Sequence, residues 1–148
     1  MARISSAQEL KKLAVSYRRA LEGTKRRILV CAETGCVAKG SLEVYAALEK
    51  AIRDKGSIVN LEYLLKHEPE ADATQLDKCG CPGFCQMGPL VIIRPENYFY
   101  VHVQPEDAEE IVEETILKGR CIERLCYLDP ERRQICSCQD EIPFYQQQ

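Results

Sequence analysis

From Cys79 to Pro89 the chain reads Cys-Gly-Cys-Pro-Gly-Phe-Cys-Gln-Met-Gly-Pro, with three cysteines, three glycines and two prolines in eleven residues. Glycine and proline interrupt helix and strand alike, so this stretch is a loop. Thiols crowded on a loop pack a core poorly, but a thiolate is a good ligand for zinc, copper or an iron–sulfur cluster. The loop alone offers too few ligands for most such sites, so the fold must bring partners to it. The candidates are Cys31 and Cys36, in Cys31-Ala32-Glu33-Thr34-Gly35-Cys36-Val37-Ala38-Lys39-Gly40-Ser41.

Together these residues give Cys-x4-Cys, a gap of 44 residues, then Cys-x3-Cys. Structural zinc sites favour Cys-x2-Cys turns, and thioredoxin-type redox chemistry wants the same spacing; the chain has neither. A plant-type ferredoxin would carry Cys-x4-Cys-x2-Cys along one loop, and that is absent too. What remains is two separate pairs, each able to hold one iron of a two-iron cluster. The alternatives are a closed zinc site on the same four thiolates and a thiol–disulfide enzyme with Cys31 as nucleophile. His67 and His102 follow the cysteines at no spacing that would give a Rieske centre.

The pattern resembles the thioredoxin-like [2Fe-2S] ferredoxins. That family includes the small iron–sulfur subunit of bacterial complex I and the N-terminal domain of the NADH-oxidising flavin subunit of NAD(P)-linked, often electron-bifurcating, hydrogenases. The matching residues are Cys-x4-Cys-x-Ala-x-Gly-Ser over 31–41 and Gly-Cys-x-Gly-Phe-Cys-x-x-Gly-Pro-Leu-Val over 80–91. Pro105-Glu106-Asp107-Ala108-Glu109-Glu110-Ile111-Val112, Lys118-Gly119-Arg120 and Glu123-Arg124-Leu125 also fit. The resemblance covers roughly residues 25 to 125. It implies an α/β, thioredoxin-like fold and one [2Fe-2S] cluster held by Cys31, Cys36, Cys81 and Cys85, with Cys79 where a non-ligand precedes Gly-Cys. It further implies a one-electron relay serving a flavoprotein NAD(P)H dehydrogenase or hydrogenase subunit. Asp140-Glu141-Ile142-Pro143-Phe144-Tyr145 resembles the junction that leads, in hydrogenase subunits, into a flavin domain.

Composition narrows the setting. A net charge of −3 argues against nucleic acid or an anionic membrane as the main partner. Nine cysteines could mean a secreted disulfide scaffold. The number is odd, however, the start Met1-Ala2-Arg3-Ile4-Ser5 has no apolar signal segment, and no run reaches membrane-spanning length. A reducing cytoplasm with metal-bound and free thiols is the expectation. No Gly-rich nucleotide fingerprint is present, so the chain is expected to carry electrons and not to be an enzyme; a homodimer is compatible with this.

In chain order, residues 6–22 read as a helix capped by Ser6 with Glu9 reaching back. Its stripe of Leu10, Leu13, Ala14, Tyr17 and Leu21 should pack on the domain or dock a partner. Ile28-Leu29-Val30 is a strand delivering Cys31 at its carboxyl end, where open α/β sheets bind ligands. Ser41 is expected to cap a helix over 42–54 with Val44, Tyr45, Leu48, Ala51 and Ile52 inward. Residues 57–65 read as a second strand, with a helical latter half as the alternative, and 67–78 as a polar loop. Leu90–Ile93 and Tyr98–Val103 form a hairpin across Arg94-Pro95-Glu96-Asn97. Pro105 opens a final helix to Lys118.

The expected order after the first helix is thus β-α-β-β-β-α. The expected division is an N-terminal helical extension (1–24), a cluster domain (25–120) and an irregular tail (121–148). In that tail Cys121, Cys126, Cys136 and Cys138, at steps of 5, 10 and 2, match no cluster motif and read as free thiols.

Overall fold

The computed structural model describes residues 4–56, 58–67 and 73–147. Its frame is a five-stranded sheet in the order β2-β3-β1-β4-β5. β1 (Arg26–Cys31) lies at the centre, parallel to β3 (Thr74–Cys79) on one side and antiparallel to β4 (Val91–Arg94) on the other. β2 (Ile58–Val59) extends the parallel half, and β5 (Tyr98–Tyr100) pairs with β4 as a hairpin. The fold class is the expected thioredoxin-like α/β, with one more strand in this sheet than the sequence suggested.

Side-chain alternation along the strands divides the core in two. Ile28, Val30, Val91, Ile93 and Tyr100 face α3 (Ser41–Lys55) and a helical run over 105–117. That run joins a 3-10 turn (Pro105–Asp107), α5 (Ala108–Glu110) and a π segment (Ile111–Leu117), with Pro at its first turn as expected. The expected stripes face the core: Val44, Leu48, Ala51 and Ile52 from α3 are buried with Tyr45 half-buried beside them, and Ala108, Ile111, Val112 and Ile116 from the second helix are buried. On the other face stand Cys31, Leu90, Ile92, Phe99 and Val101.

That second face explains the C-terminal segment. Residues expected to be irregular form β6 (Tyr127–Asp129) and β7 (Gln134–Cys136), a two-stranded antiparallel sheet, and then α6 (Pro143–Gln146). Asp129 Oδ1 sets the connecting turn by accepting from the N–H groups of Glu131 and Arg132. Cys136 and Ile142 are buried against Leu90, Ile92 and Phe99. An apolar sheet face needs a cover, and this segment supplies it; the sequence showed no periodicity because the cover uses isolated side chains.

Four further expectations are corrected. Ser41 does not cap α3: Gly40, with φ of 93°, holds the cap position, and the buried Ser41 hydroxyl has no hydrogen-bond partner. The strand read over 57–65 stops at Val59, because Asn60 Oδ1 accepts from Tyr63 N–H at 2.8 Å and starts the helical alternative, α4 (Leu61–Leu64). Ser57 lies outside the described residues. Most of the later part of the stretch read as a loop over 67–78 is β3, which is strand because β1 and β2 bond it on both sides; residues 68–72 lie outside the described residues. β5 is shorter than 98–103, since Val101 N–H turns to Leu125 O and His102 N–H to Met87 O, each at 2.8 Å.

α1 (Ala7–Glu22) is capped by Ser6 Oγ, which accepts from Glu9 N–H at 3.2 Å, while the Glu9 carboxylate reaches back to Ser5. Four residues of its stripe, Leu10, Leu13, Ala14 and Tyr17, are exposed, and the helix meets the domain at α4; the side chain of Leu21 lies outside the described residues.

Candidate metal centre

The two halves of the site arrive by different routes. β1 ends on Cys31, and the chain enters α2 (Thr34–Val37), which carries Cys36; both thiols are buried, at 1% and 0% exposure. β3 runs parallel to β1 and ends on Cys79, so the loop that follows leaves the sheet beside Cys31. Gly83, with φ of 89°, bends this loop back, as a Pro-Gly turn requires. The Sγ atoms of Cys81 and Cys85 stand 2.9 Å apart, and Gly83 N–H donates to Cys81 Sγ at 3.2 Å. Cys85 opens a 3-10 turn (Cys85–Met87) that lies against α2.

The halves meet closely. A methyl group on Gly35 would stand 3.2 Å from Cys85 Cβ and 3.7 Å from its sulfur. One on Gly88 would stand 2.7 Å from Cys36 Sγ. Lys39 ties the halves together: its ammonium donates to Cys85 O at 3.1 Å and to Gln86 O at 2.7 Å. The cysteine spacing carried no sign of this clamp.

Electrostatics separates the thiols. Burial pushes Cys31 up to about 11; a backbone N–H at Glu33 opposes this and neighbouring Cys36 adds to it. Burial, with Cys31 and Cys81 nearby, likewise pushes Cys79 up to about 11. Cys81 is exposed and moves the other way, held down by hydrogen bonds from Cys85 and then from Gly83 N–H. Its partner Cys85 is raised in return.

Phe84 sits at the middle of an aromatic group. It meets Tyr127 edge-on at 5.1 Å between centroids and Phe99 at 6.1 Å, with Phe144 at 5.9 Å and Tyr145 at 6.2 Å. Three of these four rings come from the C-terminal segment, which sequence reasoning left out of the site.

The remaining cysteines divide. Cys121 and Cys126 have their sulfurs 3.2 Å apart, with Cys138 close enough to both to raise the Cys126 thiol further. Cys136 lies apart, in the layer beneath Cys31 and Cys36. None of the nine is in a disulfide. His102 is exposed and His67 stacks on Tyr63; neither is drawn into the thiol group.

Among the described residues, no three Cys, His, Asp or Glu side chains converge as ligands of one ion. The donors come as two thiol pairs. Thiolate sulfur is the ligand of iron–sulfur clusters, and the glycines at 35 and 88 leave room where any side chain would press on a sulfur or its carbon. The donor set and the space around it fit a two-iron cluster.

Comparison with known proteins agrees. Residues 11–116 match the model of the thioredoxin-like [2Fe-2S] ferredoxin family. A curated [2Fe-2S] ferredoxin from Clostridium pasteurianum is 31% identical over 104 residues, covering 68% of this chain and 94% of the relative. One from Aquifex aeolicus is 32% identical over 90 residues, covering 61% and 70%. The crystal structure of the wild-type thioredoxin-like [2Fe-2S] ferredoxin from Aquifex aeolicus superposes with a TM-score of 0.52 at 30% identity, over 68% of this chain and 93% of the solved one. The fold and the thiol pairs define a thioredoxin-like iron–sulfur protein. The chain belongs to the thioredoxin-like [2Fe-2S] ferredoxin family, whose members are electron carriers with one [2Fe-2S] cluster.

Proposed function

We propose that this chain is a one-electron relay whose [2Fe-2S] cluster is held by Cys31 and Cys36 on one side and Cys81 and Cys85 on the other. The observation that carries the reading is the close approach of the two thiol pairs, with Gly35 between the first pair facing Cys85 of the second. When bound, the cluster takes up and releases a single electron. The chain's own residues do the rest. β1 and α2 supply two buried sulfurs, the Gly83 turn brings the other two together, and Lys39 holds the second loop by the Cys85 and Gln86 carbonyls. The exposed Cys81 side is where electrons enter or leave.

The partner we assign is a flavin-dependent NAD(P)H dehydrogenase or hydrogenase complex, with residues 25–120 as the relay domain, in a reducing cytoplasm. The likeness of 140–145 to a junction before a flavin domain supports this reading. No described helix is long and apolar enough to cross a membrane.

The test is anaerobic reconstitution. Two irons and two sulfides per chain, with a spin-half EPR signal after dithionite, are expected. Colourless protein with one zinc would sink the reading. The loaded chain should also accept electrons from an added flavoprotein while failing to oxidise NADH by itself; intrinsic NADH oxidation would refute the relay.

A further inference from the structure

The cysteine loop is held by a residue outside the family match. Tyr145 lies in α6, beyond residues 11–116. Its hydroxyl donates to Pro82 O at 2.7 Å. That carbonyl and the Gly83 N–H belong to one peptide group, and this N–H donates to Cys81 Sγ at 3.2 Å. The three groups form a single line: phenol, peptide, sulfur. A donor on the oxygen of a peptide polarises it and strengthens the N–H at its other end. It also fixes the plane of that peptide, and so the direction in which the N–H points.

The neighbours make Tyr145 a fitted part of the loop. Its ring meets Phe99 of β5 at 5.8 Å and Phe144 at 5.0 Å between centroids. The Phe144 ring closes on Gly83, 3.4 Å from where a methyl group would stand. Ile142, at 1% exposure, anchors the segment in the sheet's second face. Gly83 cannot hold its peptide by side-chain packing of its own, and its φ of 89° leaves the turn adaptable. Tyr145 removes that freedom from the far side of the peptide.

We propose that Tyr145 is a positioning residue of the metal centre: through the Pro82–Gly83 peptide it aims and strengthens the N–H donor to Cys81 sulfur, and so tunes the electron-accepting site. The proposal rests on the cluster reading for its redox consequence alone. Hydrogen bonds to ligand sulfur stabilise the reduced, more negative state and raise the potential. Removing the phenol hydroxyl weakens the donor and makes the potential more negative.

Two variants of the full chain test this. Tyr145→Phe removes the hydroxyl and keeps the ring. Tyr127→Phe is the control, because that ring also packs on Phe84 but its hydroxyl holds no loop peptide. In reduced, cluster-free protein, NMR hydrogen exchange at the Gly83 amide should run roughly fivefold faster in Tyr145→Phe, the shift in opening that one lost hydrogen bond brings. After reconstitution, the Tyr145→Phe potential should be more negative than wild type and its EPR g-values displaced. Tyr127→Phe should match wild type in all three. Wild-type exchange and potential in Tyr145→Phe overturn the proposal. Faster exchange with an unchanged potential overturns its reach to the sulfur. Wild-type protein that takes up no iron and sulfide sinks the cluster reading instead, and the exchange rate still decides whether Tyr145 holds the peptide.

Discussion

Cys31 and Cys79 are register partners at the carboxyl ends of two parallel strands, and Ala32 N–H donates to Cys79 O at 3.0 Å just beyond them. A fifth thiol therefore stands at the mouth of the site, near both Cys31 and Cys81. The strand that carries it decides its part. Cys79 is fixed by the β1–β3 ladder, whereas Cys81 and Cys85 share the free turn that brings their sulfurs together. Cys79→Ser should keep the full iron content and the wild-type EPR spectrum. Cys85→Ser should lose the cluster or shift its spectrum towards oxygen ligation. Bleaching by Cys79→Ser with an unchanged spectrum in Cys81→Ser would show that the loop binds in the other register.

Gly88 tests the space between the halves. Its φ of −68° suits any residue, so alanine there meets no backbone strain. The added methyl would lie 2.7 Å from Cys36 Sγ and 3.3 Å from Cys85 O. Gly88→Ala should cost about 1–3 kcal/mol, as overpacking does, and should lower iron uptake. At Gly56 a methyl group would have nothing within 4 Å, and Gly56→Ala should stay within about 0.5 kcal/mol of wild type. Equal melting temperatures and equal iron contents for the two variants would contradict this packing argument.

The thiols set a pH window for the cluster-free chain. Cys31 and Cys79 are raised by burial to about 11 from an ordinary 9.0. Between these values the unfolded chain releases protons that the folded chain keeps. Their contribution to stability is thus full below about pH 9 and declines as pH rises towards about 11. Urea midpoints of the reduced, cluster-free protein should fall across that window, and less steeply in Cys79→Ala. A midpoint that holds level would rule out the raised thiols.

Replacing Cys121, Cys126, Cys136 and Cys138 together by serine separates structure from ligation. Cys126 and Cys136 are 7% and 3% exposed, and a buried hydroxyl without a partner costs about 1–3 kcal/mol. The melting temperature should drop while iron per chain stays at the wild-type level. Reduced iron in protein shown by circular dichroism to be folded would make one of these thiols a ligand.

The sequence alone determined what short-range physics controls. Cysteine spacing pointed to two pairs, the stripe Val44, Tyr45, Leu48, Ala51 and Ile52 to a helix, Pro105 to a helix start, and the β-forming runs either side of Arg94-Pro95-Glu96-Asn97 to a hairpin; each depends on residues a few places apart. Tertiary structure decided β3, whose Thr74-Gln75-Leu76-Asp77-Lys78 looks like a polar loop and becomes strand because β1 pairs along its whole length and β2 adds a second partner at Thr74 and Gln75. It also decided the place of the C-terminal segment. Tyr127, Cys136, Ile142 and Tyr145 show no period, and they converge because Leu90, Ile92 and Phe99 leave one face of the sheet to be covered. The cysteine spacing marked the thiols, but the groups that hold them in place, Lys39 and Tyr145, lie 46 and 63 residues from the carbonyls they bind, and only the folded chain brings them there.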